Sequence, residues 1–267
     1  MTAKWAVLTG AVTIDSTNRD IRITANAVTA TVTLVNGTYY LIGDGSADDL
    51  LGWLDSAITS HPEITSVTIS SSVSIDSGAA VSSLTITPNI SCNILFGNAL
   101  TTFDEGTIGF DGDTGLDASH SNTDSPSLIW VSNEPPFLDD RGPWESQSEQ
   151  TITVDGKTRT FTRGTAHERR MLSFDFVAPK RTIKSAWGSS SSNQTFESWW
   201  DNHRDGRKLR YYNPALSSGT TLAALSSSNF ISTYTLDESS VASWSPRRLQ
   251  PGLELYGWSV GLRKYAT

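Results

Sequence analysis

Carboxylates are concentrated between positions 103 and 117, where they are interspersed with glycine. Carboxylate oxygens are the ligands that Ca²⁺ prefers, and the run from Asp111 to Gly115 partly imitates the start of a calcium-binding loop. However, Gly115 occupies the place of a third ligand, and no glutamate stands twelve positions from Asp111. We therefore predict a solvated acidic loop rather than a metal site. Its carboxylates are Asp104, Glu105, Asp111, Asp113 and Asp117.

Compact catalytic motifs are missing from the sequence. There is no Gly-x-Ser-x-Gly nucleophile elbow, no phosphate-cradling loop and no dinucleotide-binding fingerprint. The histidines lack the pairing in sequence that zinc enzymes of the His-Glu-x-x-His type require. Two separate carboxylates could act as a glycosidase pair, but a sequence does not give their separation. We predict no enzymatic activity, no metal and no cofactor. The histidines are His61, His120, His167 and His203.

Aromatic and cationic side chains are combined in residues 195–214. The pattern predicts a short helix over residues 195–203, then a glycine-containing turn and a strand rich in arginine and tyrosine. Phe196 and Trp199 are expected to anchor the helix to a sheet. The other aromatic and basic residues are candidates for contact with another chain. They are Trp200, Arg204, Arg207, Lys208, Arg210, Tyr211 and Tyr212.

The charge distribution divides the chain into two halves. Residues 1–140 hold three cations and 17 carboxylates, for a net charge of −14, whereas residues 141–267 hold 17 cations and 11 carboxylates, for a net charge of +6. The total of −8 argues against a general affinity for nucleic acid or anionic membranes. Opposite charges could orient copies of the chain head to tail. The alternative is that both halves are ordinary solvated surfaces, since salt screens distant charges.

Targeting and disulfide signals are also missing. No apolar run approaches the roughly 18 residues of a membrane-spanning helix, and the first residues do not read as a signal peptide. The single cysteine, Cys92, cannot form an internal disulfide. We expect no membrane insertion and no disulfide scaffold.

One helix is predicted in the first half, over residues 46–60. The apolar residues in this segment recur at helical spacing, and Ser46 can cap the N-terminus. Leu50, Leu54 and Ile58 are expected to face a sheet.

Strands are predicted through most of the remaining chain, because short β-branched and aromatic runs are separated by Gly, Asn and Pro. Asn36-Gly37 and Asp155-Gly156 are the strongest signals for tight hairpin turns. The first forty residues are expected to form an antiparallel meander. The predicted strands are 5–8, 12–14, 21–24, 28–35, 38–42, 64–70, 73–75, 81–86, 90–96, 128–131, 151–154, 158–162, 169–177, 208–212, 232–236 and 254–263.

The predicted fold class is mainly β (α+β), with two antiparallel sandwich-like or barrel-like units that each carry one short helix. Residues 1–132 form the acidic unit, which is rich in serine and threonine. Residues 133–143 form a proline-rich linker, and residues 144–267 form the basic, tryptophan-rich unit.

The second half resembles tail or baseplate components of tailed bacteriophages. The order of a core strand at 168–176, a Trp-bearing helix, an Arg/Tyr strand and a closing Trp-rich strand at 244–263 is similar to that of distal tail and minor tail proteins. The resemblance covers about residues 140–267. It implies a ring of identical subunits, commonly six, around the tail channel, with the tail tube and hub as neighbours.

The same resemblance implies a virion protein, made in the host cytoplasm, that has no enzymatic activity. The acidic loop is a candidate surface of the channel, because it would repel DNA phosphates. Three alternatives stay open at this point. The chain could be a tail tube subunit, a carbohydrate-binding adhesin module that uses exposed Trp and Tyr, or a glycosidase.

Overall fold

A computed structural model describes residues 6–76, 79–124, 126–131, 136, 138–152, 158–177, 196–203, 207–215, 230–236, 247–250 and 253–264. The chain is mainly β with antiparallel sheets, as the sequence predicts. Its strands are β1 (Val7–Ile14), β2 (Asp20–Ala25), β3 (Val28–Thr33), β4 (Gly37–Tyr40), β5 (Val67–Asp76), β6 (Ala79–Pro88), β7 (Cys92–Leu95), β8 (His120–Ser121), β9 (Ile129–Val131), β10 (Leu138–Ile152), β11 (Thr158–Val177), β12 (Leu209–Tyr212), β13 (Phe230–Leu236), β14 (Arg247–Gln250) and β15 (Leu253–Lys264). The helices are α1 (Leu50–Thr59), α2 (Phe196–His203) and a 3-10 turn at Glu105–Thr107.

The largest sheet joins strands from both halves of the sequence. Its order is β10-β11-β15-β13-β12-β1-β4, with β14 paired to β15 and β9 paired to β1. Two smaller sheets have the orders β3-β2-β7 and β5-β6-β8. The strands predicted at 169–177, 208–212, 232–236 and 254–263 correspond to β11, β12, β13 and β15.

The first tight hairpin is formed by β2 and β3, with Asn26 and Ala27 as the turn. Both turn residues have positive φ, 48° and 62°, as a primed two-residue turn requires. The hairpin prediction at Asn36-Gly37 is wrong, because β3 pairs with β2 whereas β4 pairs with β1. The expected meander is therefore replaced by strands in two different sheets. The absence of a side chain at Gly37 instead lets the Tyr39 ring lie close to the backbone, since a Cβ there would lie 2.6 Å from the Tyr39 hydroxyl.

Helix α1 begins after Asp49, which caps it instead of the predicted Ser46. The Asp49 carboxylate is buried and accepts the N–H groups of Leu51, Gly43 and Gly45 at 2.9–3.0 Å. Three charge-assisted bonds tie the helix start to the preceding loop. The predicted inward face is confirmed, and the buried residues of the helix are Leu50, Leu51, Leu54, Ala57 and Ile58.

Two hydrophobic cores share the central strands. The first core is formed by residues between positions 7 and 131, together with Tyr212. On β1, Val7 belongs to the first core and Leu8 to the second, because neighbouring side chains of a strand point to opposite faces. The central strands are therefore buried on both faces. The second core consists of Ala6, Leu8, Trp130, Leu172, Trp199, Trp200, Leu209, Tyr211, Tyr234, Leu236, Val260 and Leu262.

The predicted linker contains part of a strand. Residues 138–143 belong to β10, and Leu138–Arg141 pair with β11. The same sheet also crosses the predicted boundary, because β1 pairs with β12 over Val7–Gly10. The division into units 1–132 and 144–267 stays a prediction. The predicted turn Asp155-Gly156 lies outside the described residues, although the flanking strands pair as expected, with Ile152 opposite Thr158.

The helices in the described part of the chain are short. None of them has the length and apolar character that a bilayer-spanning helix needs.

Candidate functional site

The predicted contact residues separate into a buried and an exposed group. Trp200, Tyr211 and Tyr212 have at most 6% of their surface exposed, so burial removes them from the side chains that could contact another chain. Arg207 and Lys208 are exposed. Arg204 lies outside the described residues, and Arg210 is half-buried.

Helix α2 contacts the central strands through Trp199 and His203. The indole N–H of Trp199 donates to the Leu128 carbonyl at 3.3 Å, and the His203 ring stacks on the Trp199 ring with centroids 4.4 Å apart. His203 Nδ1 donates to the Trp199 carbonyl at 2.8 Å. A Cβ on Gly10 would lie 2.0 Å from His203 Nε2, so glycine permits this packing. Burial lowers the pKa of His203 to about 4, and the ring is neutral at pH 7.

Arg210 lies at the centre of a small mixed polar and aromatic site. Its guanidinium forms an ion pair with Asp48, with Nη1 3.4 Å from Oδ1 and Nη2 in close contact with Oδ2. The guanidinium carbon lies 4.2 Å from the centroid of the Tyr40 ring and 5.8 Å from that of Phe230. These contacts hold the Arg210 side chain within the fold, and its positive charge is largely balanced by Asp48 and the aromatic rings.

A pocket of about 240 Å³ opens beside Arg210. We call it the Arg210 pocket. It combines carboxylates, a guanidinium, a hydroxyl and an aromatic face that is 38% exposed at Phe230. Its lining residues are Asp44, Ser46, Asp48, Arg210, Tyr212 and Phe230.

A larger groove of about 680 Å³ lies where the two halves of the sequence meet. It places Asp104, from the acidic loop, in the same groove as Arg207 and Lys208, from the basic segment. Hydroxyl groups of Thr13, Thr38, Thr107 and Ser127 complete its polar lining. The fold therefore brings one predicted acidic residue and two predicted basic residues to a common surface.

The predicted acidic loop carries local structural roles at two positions. Asp104 caps the 3-10 turn by accepting the Gly106 N–H at 3.1 Å, and Asp113 accepts the Gly97 N–H at 2.8 Å. Asp111 and Asp117 are exposed, and Glu105 is half-buried. In the described part of the chain, no three metal-ligating side chains are grouped in a way that could hold a metal ion.

Cys92 and His120 form a buried pair. The Cys92 sulfur lies 3.5 Å from His120 Nε2, and neither residue has more than 3% of its surface exposed. Burial raises the pKa of the Cys92 thiol to about 11 and lowers the pKa of His120. A neutral thiol without access to solvent is a poor nucleophile, so this pair is a core contact.

A partly buried polar cluster joins β10 to β12 through Asp139. Arg170 donates to both Asp139 oxygens, at 2.5 and 2.9 Å. The Tyr211 hydroxyl and the Asn213 amide each donate to Asp139 Oδ2 at 2.9 Å. Burial raises the pKa of Tyr211, so its hydroxyl stays a donor at neutral pH. We call these four residues the Asp139 cluster.

The hairpin of β10 and β11 continues well beyond this cluster. β15 pairs with β11 only from Arg169 onward, whereas β10 pairs with β11 as far as Ile152 and Thr158. Among the described residues, positions 144–152 and 158–168 therefore pair only with each other. We call this two-stranded segment the arm.

Local sequence patterns carry no signal for several of these residues. Asp44 and Asp48 precede a helix, where carboxylates are ordinary, and Phe230 lies just outside the predicted strand 232–236. Asp139 lies in the predicted linker. Their proximity to Arg170, Arg210 and Tyr211 depends on pairings between distant strands, which local patterns do not encode.

No protein-family model matches this chain, and no curated protein matches it.

Proposed function

We propose that this chain is a structural subunit of a bacteriophage tail, at the distal tail or baseplate, where copies form a ring around the DNA channel. The observation that supports this proposal best is the arm. The resemblance of residues 140–267 to distal tail and minor tail proteins suggests the setting, and a virion location follows from it. Enzymatic activity, cofactors and specific nucleic-acid binding have no part in the proposal.

Within the part of the chain that the structure describes, no further strand pairs with either long edge of the arm, so both edges offer backbone hydrogen-bonding groups. One edge is the outer side of β10, and the other is the outer side of β11 over residues 158–168. An isolated two-stranded ribbon is marginally stable in water, and an open strand edge is a template for pairing with another chain. A neighbouring copy that adds its own arm to either edge would satisfy these groups.

In the proposed ring, the two different edges of the arm meet, so that copies contact each other head to tail. Pairing the β10 edge of one copy with the β11 edge of the next uses different surfaces on the two partners. Such a heterologous interface gives a closed ring when a whole number of copies completes a full turn. Otherwise it gives an open helical assembly. Six copies are our expectation, from the tail-protein resemblance.

The Asp139 cluster fixes the root of the arm. It ties β10 to Arg170 on β11 and to Tyr211 on β12, all within or beside the second core. A fixed root directs the arm the same way in every copy, and this lowers the ordering cost of assembly.

Exposed charges would then orient the copies as they meet. Arg207 and Lys208 are exposed on the basic half, whereas Asp111 and Asp117 are exposed on the acidic half. Complementary charges mainly set the encounter rate and orientation, and strand pairing supplies the lasting contact. In the proposed ring, the exposed carboxylates of the acidic loop could also face the channel and repel DNA.

Shortening the arm tests this proposal. Glu145 and His167 are paired across the arm, so replacing residues 146–166 by Asn-Gly can close a two-residue turn between them. A matched control shortens the second long hairpin, where Ser72 and Ser83 are paired, by replacing residues 73–82 with Asn-Gly. Sedimentation velocity then compares both variants with the full chain, whose subunit mass is 28.9 kDa.

We expect the full chain and the control to sediment as a discrete oligomer and the arm-shortened variant to sediment as a folded monomer. Assembly of the arm-shortened variant would contradict the proposal, and so would a control that is monomeric as well. Polymerisation of the full chain into long tubes would favour the tail tube alternative.

A further inference from the structure

We infer that the Arg210 pocket binds a carbohydrate ring. This inference goes beyond the proposed assembly, because none of the residues that line the pocket belongs to the arm. The pocket measures about 240 Å³, below the range of about 300–1,000 Å³ that is typical of drug-sized ligands. Its size therefore suits one small ring rather than an extended molecule.

The aromatic wall of the pocket is Phe230. Its side chain is 38% exposed, although its ring packs against Tyr212 with centroids 5.3 Å apart. A sugar ring has an apolar face of C–H groups and a rim of hydroxyls, and an exposed aromatic ring covers that face. Packing on Tyr212 fixes the Phe230 ring before any ligand arrives, which lowers the cost of binding.

A β-bulge sets the position of Phe230. The register between β12 and β13 shifts, so that Tyr211 lies opposite Ser232 and Tyr212 lies opposite Phe230. Ile231 is therefore the extra residue on β13. Bulges are frequent beside binding sites because they re-aim a neighbouring side chain.

The polar rim offers both hydrogen-bond acceptors and donors. The Asp48 carboxylate is held by Arg210 and by the Ser46 hydroxyl, which donates to Oδ1 at 2.9 Å. Asp44 accepts the Ser46 N–H at 2.9 Å through Oδ1, and its side chain is exposed. Each carboxylate oxygen accepts more than one hydrogen bond, so both groups keep capacity for ligand hydroxyls.

The charge of the pocket favours a neutral ligand. Two carboxylates and one guanidinium leave one net negative charge, which disfavours anions. The guanidinium already occupies the Tyr40 face and the Asp48 carboxylate, where a cationic ligand would otherwise bind. A polyhydroxylated ring uses the donors, the acceptors and the aromatic wall together.

Saturation-transfer NMR on the full chain tests this inference. The probes are the methyl glycosides of glucose, galactose, N-acetylglucosamine and rhamnose, with propylammonium as the cationic competitor. The variants are Phe230→Ala, which removes the aromatic wall, and Asp44→Asn, which removes a charge at an exposed position. Val28→Ala is the matched control, because Val28 is also 38% exposed but lies on β3 and does not line the pocket.

We expect at least one glycoside to bind. Phe230→Ala and Asp44→Asn should each weaken binding about tenfold, the factor that corresponds to one aromatic contact or one charge-assisted hydrogen bond. Val28→Ala should leave binding unchanged. The inference is overturned if no glycoside receives saturation, if binding survives Phe230→Ala and Asp44→Asn, or if only propylammonium binds. Assembly is measured separately by sedimentation, so failure here leaves the ring proposal standing.

Discussion

Tyr211 and Tyr212 are consecutive residues of β12 that lie in different hydrophobic cores. Tyr211 is fully buried in the second core, whereas Tyr212 is 3% exposed in the first core. The same division separates Val7 from Leu8 on β1. The central strands thus serve both cores, and neither core can lose them without exposing the other.

The part of the chain that the structure describes should therefore unfold in a single transition. Val7→Ala removes side-chain packing from the first core and Leu8→Ala from the second, and we expect the latter to cost about 2–5 kcal/mol. Because the strand is shared, calorimetry should show one peak that shifts downward in either variant. Two separate peaks, with only one displaced by each substitution, would instead support the independent units predicted from the sequence.

Gly10 should tolerate no side chain while His203 is present. A Cβ at position 10 would lie 2.0 Å from Nε2 of His203, so Gly10→Ala should lower the free energy of unfolding by about 1–3 kcal/mol. A double-mutant cycle by urea denaturation checks the contact. Adding His203→Ala should make the Gly10→Ala cost much smaller. Equal costs in both backgrounds would mean that the two residues do not meet.

Acid should weaken the packing of α2 through His203. The pKa of this ring is about 4 in the fold because of burial and 6.5 when exposed, so the unfolded chain binds the extra proton first. The stabilising contribution is complete above pH 6.5 and falls by about 2 kcal/mol at pH 5 and about 3 kcal/mol at pH 4. Urea titrations from pH 7 to pH 4 should show this loss in the natural chain and lack it in His203→Gln. A parallel decline in both proteins would assign the effect to other groups.

The Asp139 cluster should be costly to break. Asp139 and Arg170 have side chains that are only 16% and 13% exposed, so Asp139→Asn leaves a guanidinium without its ion pair. We expect a loss of about 3 kcal/mol in the free energy of unfolding. Asp117→Asn, at an exposed carboxylate, is the control and should change stability by less than about 0.5 kcal/mol. If both substitutions changed the free energy of unfolding by a similarly small amount, the Asp139 cluster would not fix the root of the arm.

Local patterns were sufficient for much of the secondary structure. The apolar spacing of Leu50, Leu54 and Ile58 identified α1 and its buried face, and the aromatic segment identified α2. Turn chemistry was a weaker guide. Asn36-Gly37 has the residues that a primed turn prefers, yet the primed turn in this region is formed by Asn26 and Ala27. Packing in the cores determines the strand pairing, so β3 pairs with β2 and β4 pairs with β1.

The candidate sites depend on contacts that no local pattern contains. Asp48 meets Arg210 across 162 positions of sequence, and Asp139 meets Tyr211 across 72. Tyr211 and Tyr212 appeared as contact residues because an Arg/Tyr strand resembles an exposed binding strand. Their burial on both faces follows from the shared sheet, which brings β1 beside β12.

Electron microscopy of the purified full chain, with two-dimensional class averages of stained particles, tests the ring most directly. The account predicts closed rings of identical 28.9 kDa subunits, with six-fold symmetry expected. Fields that contain only single folded chains, at every concentration up to the limit of solubility, would contradict it.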